Sequence, residues 1–397
     1  MIKNILFKIK YKIVKANIDK KIRELKNSNK KIRVVFYVCE NQKWSYQSLY
    51  DEFEKNNKFE PLVVVSLLTS IHTGCDKTKD NLEENFSFFK SRGMNVQYGY
   101  KNEKYIDLKT FNPDIVFYEQ PWSLPKINSP YRVSNFALTC HCPYSITTNR
   151  SIIEAHPKFY EYIWKYFISA DSLKQEYYSA YKYNYDSIVV SGHPKLDLVN
   201  ELKPSDTKHY VIYAPHHAIK GSHLEYGTFE WNGHFMLEYA KSHPELNWVF
   251  KPHPNIKYWF NHIGYMSEQE VDDYYKEWEK IALVYDKGDY FKIFSNSDAM
   301  ITDCGSFLVE YFLTGKPLIH LVSQNLIKQT SLNNLCSANY YKVFNVESLK
   351  VYLDEILLKK NDFLKESREK KLNELFTDKT SSSKRIIDYL TKELGLK

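Results

Sequence analysis

The chain has 397 residues, 43% hydrophobic and 26% charged, a length and composition that favour two globular domains over a disordered chain. Its net charge of +7 is concentrated at the start, because residues 1–31 carry ten Lys and one Arg against two acidic residues, which gives +9. The rest of the chain therefore sums to about −2 and has no basic stripe, which excludes a nucleic-acid partner.

Residues 1–30 form a basic segment in which Ile5, Ile9, Ile13 and Ala16 recur at helical spacing with lysines between them. This pattern predicts an amphipathic helix that rests on the inner face of the cell membrane. The alternative is a helix packed on the N-terminal domain with a solvated lysine face. The six cysteines form no CxxC pair, which is typical of reduced thiols in a cytoplasmic protein.

From residue 31 onward, short apolar strands alternate with amphipathic helices, a pattern that predicts an N-terminal Rossmann-like domain over 31–200. The predicted strands are 31–40, 61–68, 95–100, 113–118, 136–140, 166–170 and 187–191. The predicted helices are 45–56, 80–92 and 173–181.

Residues 200–208 are polar and contain a proline, which indicates a domain boundary. A second alternation over 208–397 predicts a second Rossmann-like domain, whose last helix has the alternative of packing back on the first. Together they predict an α/β protein with two Rossmann-like domains facing a cleft. The predicted strands are 210–214, 247–251, 282–285, 299–302 and 317–321; the predicted helices are 231–242, 268–280, 290–295, 307–313, 350–360, 361–374 and 381–394.

Polar residues follow three strands of the second domain, where such sheets bind ligands. His216 and His217 follow the first strand, Lys251 and His253 the next, and the segment Asp-Cys-Gly-Ser a later one. That last segment, with Asp303, Gly305 and Ser306, opens a predicted helix whose N-terminus favours anions. The pattern predicts a nucleotide-diphosphate site. The alternatives are that Asp303 or Ser306 only caps a helix and that the histidines are only packed.

These segments resemble a known family. YAPHHAI, WVFKPHP and SDAMITDCGSFLVEYFLTGKPLI are similar to the C-terminal signature of the CDP-glycerol glycerophosphotransferases, bacterial enzymes of teichoic-acid and capsule synthesis with a GT-B fold. SGHPKLD resembles the family's Gly-x-Pro-Arg-x-Asp element, with Lys195 in place of arginine. FYEQPW and LTCHCPYSI resemble a segment of its first domain.

The resemblance implies a role for individual residues. The family's phosphate-binding histidine falls on His253, its Asp-x-Ser-Ser loop on 303–306, and its following acidic residue on Glu310. Its catalytic base histidine falls on His141, although Cys140 and Cys142 replace the family's flanking Trp and Gly. The alternative for His141 is a packed histidine, and for Glu310 an exposed charge at the start of a helix.

The predicted reaction moves glycerol phosphate, or a similar polyol phosphate, from a CDP-activated donor to a hydroxyl of a polysaccharide or lipid-linked acceptor, and releases CMP. His217, Lys251, His253 and Ser306 would stabilise the charge that develops, and His141 would take the acceptor proton. Residues 31–200 are therefore expected to form the acceptor domain and residues 208–397 the nucleotide-donor domain. No metal or cofactor is predicted, because no Asp-x-Asp motif is present. The alternatives are a GT-B glycosyltransferase using a CMP- or UDP-sugar, a UDP-sugar epimerase, and a non-catalytic nucleotide-binding scaffold.

Overall fold

A computed structural model describes residues 2–69, 79–180, 185–201, 209–222, 224–285, 290–325, 328–376 and 380–396. The chain divides into two units. Unit 1 consists of Met1–Ile146, Arg150–Asp197 and Thr380–Lys397, and unit 2 of Thr147–Asn149 and Leu198–Lys379.

Unit 1 is built on a parallel seven-stranded sheet of order β3-β2-β1-β6-β7-β8-β9. The order reverses at β1, whose neighbours are β2 and β6, and this reversal is the switch point of a doubly wound sheet. Strands β4 and β5 form a separate antiparallel pair. The strands are β1 (Ile32–Val38), β2 (Phe59–Val65), β3 (Val96–Tyr98), β4 (Tyr100–Lys101), β5 (Lys104–Tyr105), β6 (Ile115–Tyr118), β7 (Leu138–His141), β8 (Lys165–Ile168) and β9 (Ile188–Val190).

The central strands of this sheet are buried apolar runs, as expected of a parallel sheet covered on both faces. Helices connect the strands because a parallel pair requires a crossover. The helices of this part of the chain are α1 (Ile2–Lys26), α2 (Gln47–Lys55), α3 (Lys79–Lys90), α4 (Pro130–Val133), α5 (Arg150–Ala155), α6 (Pro157–Tyr160), α7 (Lys174–Ala180) and α8 (Pro194–Glu201).

Unit 2 contains a parallel six-stranded sheet of order β12-β11-β10-β13-β14-β15, with its switch point at β10. Its strands are β10 (Tyr210–Ala214), β11 (Trp248–Phe250), β12 (Ala282–Val284), β13 (Ser297–Thr302), β14 (Leu318–Leu321) and β15 (Tyr341–Val343). Its helices are α9 (Phe229–Ser242), α10 (Ile256–His262), α11 (Glu268–Glu279), α12 (Phe291–Ser295), α13 (Phe307–Glu310), α14 (Ser331–Ser337), α15 (Val346–Leu353) and α16 (Lys365–Leu375).

The last helix, α17 (Ser382–Glu393), packs in unit 1, where Ile386, Ile387 and Leu390 join the apolar core. The buried Asp197 carboxylate accepts hydrogen bonds from the backbone amides of Ser382 (2.6 Å) and Ser383 (2.9 Å), which would otherwise lack acceptors at the helix start. The SGHPKLD segment thus anchors the terminal helix.

Helix α1 has two different halves. Val14, Ile18 and Leu25 are buried in the core of unit 1. Ile5, Ile9 and Ile13, in contrast, are 52%, 50% and 44% exposed. Among the described residues, no helix is long and apolar enough to cross a membrane.

The predicted α/β fold with two Rossmann-like sheets is confirmed. The sequence missed β15, the β4–β5 pair and several helices of four to eight residues, α8 among them. These elements are too short to show a clear hydrophobic period, so neighbouring contacts rather than local pattern define them.

Candidate active site

The predicted site residues of unit 2 lie beyond the carboxyl ends of three adjacent strands. His216 and His217 follow β10, Lys251 and His253 follow β11, and Asp303 follows β13. Since β10 pairs with both β11 and β13, these loops meet at the switch point of the sheet. Ligands of doubly wound sheets bind at this position.

Asp303 organises the loop after β10. Its Oδ1 accepts a hydrogen bond from the backbone amide of His216 at 2.7 Å, and its Oδ2 accepts from the amide (2.7 Å) and hydroxyl (2.8 Å) of Thr228. Burial raises the pKa of the Asp303 carboxyl to about 6, although these hydrogen bonds act in the opposite direction. Because both oxygens are used in this way, the contacts of Asp303 are those of a positioning residue.

The tautomer of His216 follows from its hydrogen bonds. Its Nδ1 lies 3.1 Å from the backbone amide of Ala218, which can only donate, so Nδ1 is the acceptor. The proton of the neutral ring is then on Nε2, which lies 2.9 Å from the Tyr226 hydroxyl. Both ring nitrogens of His216 are therefore fixed within the loop.

His217 and His253 are coupled by a hydrogen bond between their Nδ1 atoms, 3.0 Å apart. His253 Nδ1 also accepts from the amide of Asn255 at 3.1 Å, so His217 donates to it and His253 carries its proton on Nε2. That tautomer of His253 has an N–H at Nε2, a group of the kind that donates to anionic oxygens. His216 and His217 are 5% and 3% exposed.

Lys251 is surrounded by aromatic rings. Its Nζ lies 5.1 Å from the ring centroid of Tyr290, 5.5 Å from Phe307 and 6.0 Å from Tyr285. Ring faces attract a cation. A lysine ammonium is also a group that donates charge-assisted hydrogen bonds to phosphate oxygens.

The segment after β13 differs from its prediction. The helix expected over 307–313 is a single α-turn, α13, followed by a 3-10 turn at Tyr311–Thr314, so it has little dipole to offer an anion. Ser306 makes no side-chain cap hydrogen bond. A Cβ at Gly305 would lie 3.1 Å from Thr148 Oγ1, so a larger residue there requires a small shift.

Glu310 is completely buried, which overturns the alternative interpretation of an exposed helix charge. The Tyr290 hydroxyl donates a hydrogen bond to its carboxylate. Tyr290 therefore contacts Glu310 through its hydroxyl and Lys251 through its ring.

His141 ends β7 in unit 1 and is 1% exposed. Its Nδ1 lies 2.6 Å from the carbonyl oxygen of Tyr118, which can only accept, so Nδ1 carries the proton and Nε2 keeps its lone pair. The ring contacts Phe159 and Tyr166, and burial lowers its pKa to about 3. His141 is thus packed and neutral, but in the tautomer that a general base requires. Its catalytic role stays a prediction.

Three histidines of unit 2, His216, His217 and His253, have ring nitrogens within 4.8 Å of one another, close enough to share a metal ion. A metal at the Nδ1 atoms of His216 and His253 would have to displace the backbone amides that now donate to them. The present hydrogen bonds therefore favour His253 as an N–H donor over His253 as a metal ligand.

His216, Asp303 and Glu310 are held in place by three residues that the sequence did not indicate, namely Tyr226, Thr228 and Tyr290. Each of these three lies outside the polar segments that directly follow the strands. A tyrosine or threonine in a loop carries no signal until the fold brings it to a charged partner.

Two comparisons relate these residues to known proteins. A family model described as CDP-Glycerol:Poly(glycerophosphate) glycerophosphotransferase matches residues 143–326, which include all the predicted site residues of unit 2. No curated protein matches the chain.

Several solved structures share the fold at low identity. The wall teichoic acid polymerase TagF has a TM-score of 0.59 at 12% identity, over 100% of this chain and 98% of that one. UDP-GlcNAc 2-epimerase from Neisseria meningitidis, bound to UDP-GlcNAc, has 0.57 at 16%, over 91% and 100%. S. aureus MnaA with UDP has 0.59 at 15%, over 93% and 98%.

At these identities the likeness concerns the fold, which is the GT-B architecture predicted from the sequence. The family match is more specific, because it spans the strand-end histidines and the segment after β13. The predicted resemblance is therefore confirmed: over residues 143–326 the chain is similar to the CDP-glycerol glycerophosphotransferases.

Proposed function

We propose that the protein transfers glycerol phosphate from CDP-glycerol to a hydroxyl of a polysaccharide or lipid-linked acceptor and releases CMP. The observation that carries this proposal is the pairing of Lys251 with the Nε2–H of His253 at the switch point of unit 2, inside the segment that matches the family. One solved TagF structure that shares the fold includes CDPG, at 12% identity and a TM-score of 0.57.

In the proposed reaction the acceptor oxygen forms a bond to the β-phosphorus while the bond from that phosphorus to the oxygen of CMP breaks. The leaving phosphate gains negative charge, which His253 and Lys251 would stabilise as preorganised donors. Asp303 would act indirectly, by fixing the backbone of His216. Glu310 would accept a hydrogen bond from a donor hydroxyl.

The proton of the acceptor hydroxyl needs a base, and His141 is our candidate. Its Nε2 lone pair has no hydrogen-bond partner among the described residues, whereas its Nδ1–H is held by Tyr118. A positioned base contributes about 10²–10⁴-fold to such a step.

A glycosyltransferase that uses a CMP- or UDP-sugar is the main alternative, since the same donors would hold its nucleotide phosphates. The fold likeness to UDP-sugar epimerases does not favour it, because fold alone does not specify chemistry. A non-catalytic scaffold would bind nucleotide without turnover.

The test is nucleotide release by the full chain from CDP-glycerol, CDP-ribitol, a CMP-sugar and a UDP-sugar in separate assays. We expect CMP from CDP-glycerol, with turnover about 10²–10³-fold lower in His253→Ala. His234→Ala is the matched control, because His234 is exposed on α9. Release from a sugar nucleotide alone would establish the glycosyltransferase, and binding of CDP-glycerol without any release would establish the scaffold.

We also propose that α1 rests on an anionic membrane surface. The exposed isoleucines at 5, 9 and 13 repeat every four residues, and exposed lysines at 8, 10, 12 and 15 surround them. Apolar side chains would enter the interface while the lysines contact anionic head groups.

Since the second half of α1 is part of the core, deleting the helix would damage the fold. The better test is the triple substitution Ile5→Ser, Ile9→Ser, Ile13→Ser in a flotation assay with phosphatidylglycerol vesicles. We expect the substituted protein to lose vesicle binding. Val351→Ser is the control, because Val351 is 58% exposed in unit 2. Unchanged flotation of the triple variant would contradict the proposal.

A further inference from the structure

The carboxyl ends of β1 and β6 in unit 1 carry a second polar cluster, made of Glu40, Lys43, Glu119 and Gln120. Glu40 follows β1, and Glu119 and Gln120 follow β6, so the cluster lies at the switch point of this sheet. Lys43 donates hydrogen bonds to the Glu40 carboxylate and, at 3.0 Å, to Gln120 Oε1. The reaction proposed above uses none of these four residues.

Glu119 is 1% exposed, and its two oxygens differ. Oε1 accepts hydrogen bonds from the backbone amides of Cys39 (2.8 Å) and Glu40 (3.1 Å). Oε2 is buried and has no hydrogen-bond partner among the described residues. A buried polar atom without a partner destabilises the protein, so a ligand group that supplies a hydrogen bond there would bind favourably.

Burial raises the pKa of the Glu119 carboxyl to about 8, and the neighbouring Glu40 acts in the same direction. At neutral pH Glu119 therefore retains a proton. Because Oε1 already accepts two N–H groups, that proton belongs on Oε2. A carboxyl O–H and a carboxyl oxygen are both good partners for an uncharged hydroxyl.

Aromatic rings flank the charged end of the cluster. Lys43 Nζ lies 5.2 Å from the ring centroid of Trp122 and 5.6 Å from that of Tyr144. These two rings are perpendicular, with centroids 5.9 Å apart, and both are half-buried. Ring faces beside a few convergent polar groups are typical of a small-molecule site.

Hydrogen bonds from neighbouring side chains hold the loops that carry the cluster in place. Asn85 accepts a hydrogen bond from the amide of Asn41 at 2.7 Å and donates one to the carbonyl of Cys39 at 3.1 Å. The Tyr46 hydroxyl lies 2.7 Å from the carbonyl oxygen of Tyr118 and 2.6 Å from that of Cys142, which joins the ends of β6 and β7. The cluster is thus held in place without a ligand.

We propose that this cluster binds a neutral sugar unit of the acceptor, with its ring against Trp122 and Tyr144 and its hydroxyls on Glu119, Glu40 and Gln120. The inference rests on the proposed transferase function, since it names the class of acceptor. An anionic acceptor unit fits less well, because the cluster has two carboxyl groups and one lysine, already bonded to Glu40. Its acidic and aromatic composition selects for uncharged hydroxyls.

The test is saturation-transfer NMR on the full chain with N-acetylglucosamine, glucose and, as the anionic probe, sn-glycerol 3-phosphate. We expect the two sugars to bind, with affinity about tenfold lower in Glu119→Gln, which keeps the shape of the side chain but loses the O–H. Tyr144→Ala should weaken binding as well and removes nothing from the buried carboxyl cluster. Tyr265→Ala is its control, since Tyr265 is 40% exposed in unit 2.

Equal sugar binding by all four proteins, or preferential binding of sn-glycerol 3-phosphate, would overturn the assignment. The thermal shift with CDP-glycerol separates this result from the function itself, because the donor residues lie in unit 2. Sugar binding without any thermal shift on addition of CDP-glycerol would support the sugar site but contradict CDP-glycerol as the donor. CMP release by a protein that binds no sugar would support CDP-glycerol as the donor but contradict the sugar site.

Discussion

The two units place opposite chemistry at the same position of the same fold. At the switch point of unit 2 the strands end in His216, His217 and Lys251, which are basic side chains of the kind that accompany an anion. At the switch point of unit 1 they end in Glu119, Glu40 and Gln120, which accept hydrogen bonds and lie beside aromatic rings. The fold provides the location, whereas the residues that follow each strand determine which chemical groups are present there.

A second comparison is between two buried histidines of unit 1, His141 and His193. Substituting His141 should give the largest loss of CMP release. His193 uses both nitrogens, because Nδ1 accepts from the amide of Lys195 at 3.2 Å and Nε2 donates to the carbonyl of Pro143 at 2.6 Å. His141 uses only Nδ1. We therefore expect His141→Asn to lower CMP release about 10²–10⁴-fold with a small change in Tm.

His193→Asn is the matched control, as burial lowers the pKa of both rings to about 3. It should lower Tm more than His141→Asn does and should retain turnover in the fraction that remains folded. Initial rates and thermal unfolding of both variants check the prediction. Normal turnover in His141→Asn would place the base elsewhere.

A substitution of Asp303 tests whether the loop that carries His216 and His217 depends on the hydrogen bonds of this carboxylate for its position. Both carboxylate oxygens accept hydrogen bonds, so Asp303→Asn must turn an amide NH₂ toward a backbone N–H of either His216 or Thr228. We expect this to cost about 1–3 kcal/mol of unfolding free energy and to weaken CDP-glycerol binding. Thermal unfolding with and without CDP-glycerol measures both effects. Full stability and full nucleotide binding would show that the hydrogen bonds of Asp303 do not position the site.

The strand-end histidines could be predicted because they directly follow apolar runs, so local sequence contains the whole signal. The cluster of unit 1 could not, because Lys43 and Gln120 are 77 positions apart and meet only when β1 pairs with β6. A glutamate or lysine after a strand is usually a solvated charge, and the neighbouring sequence does not indicate that its side chain will be buried. Asp197 illustrates the same limit, since its partners Ser382 and Ser383 lie on the last helix.

Glu119 also predicts how stability depends on pH. Its pKa is raised to about 8 in the folded protein from 4.5, so the folded state binds more protons between these values and stability falls as pH rises through them. The buried histidines His141 and His193 have the opposite effect on stability, because their pKa is lowered to about 3 in the folded protein from 6.5. Their effect is confined to the range below pH 6.5, where stability rises with pH.

Between pH 6.5 and 8 the slope should therefore reflect Glu119, at no more than about 1.4 kcal/mol per pH unit for one proton. Urea unfolding at several pH values in this range should show a decline for the natural chain and a smaller slope for Glu119→Gln. Parallel slopes would mean that Glu119 is ionised in the folded protein.

The smallest effect is expected from removing metal ions. The three histidines of unit 2 are close enough to share an ion, but backbone amides donate to Nδ1 of two of them. In the proposed reaction Lys251 would supply the positive charge near the phosphate. We expect CMP release to be unchanged after dialysis against EDTA. Added Zn²⁺ should inhibit, because an ion bound by these histidines would displace the hydrogen bonds that orient His253. If EDTA treatment abolishes activity and magnesium restores it, the donor diphosphate is held through a metal ion. The contrast between the basic residues of unit 2 and the acidic residues of unit 1 would then have to include that ion.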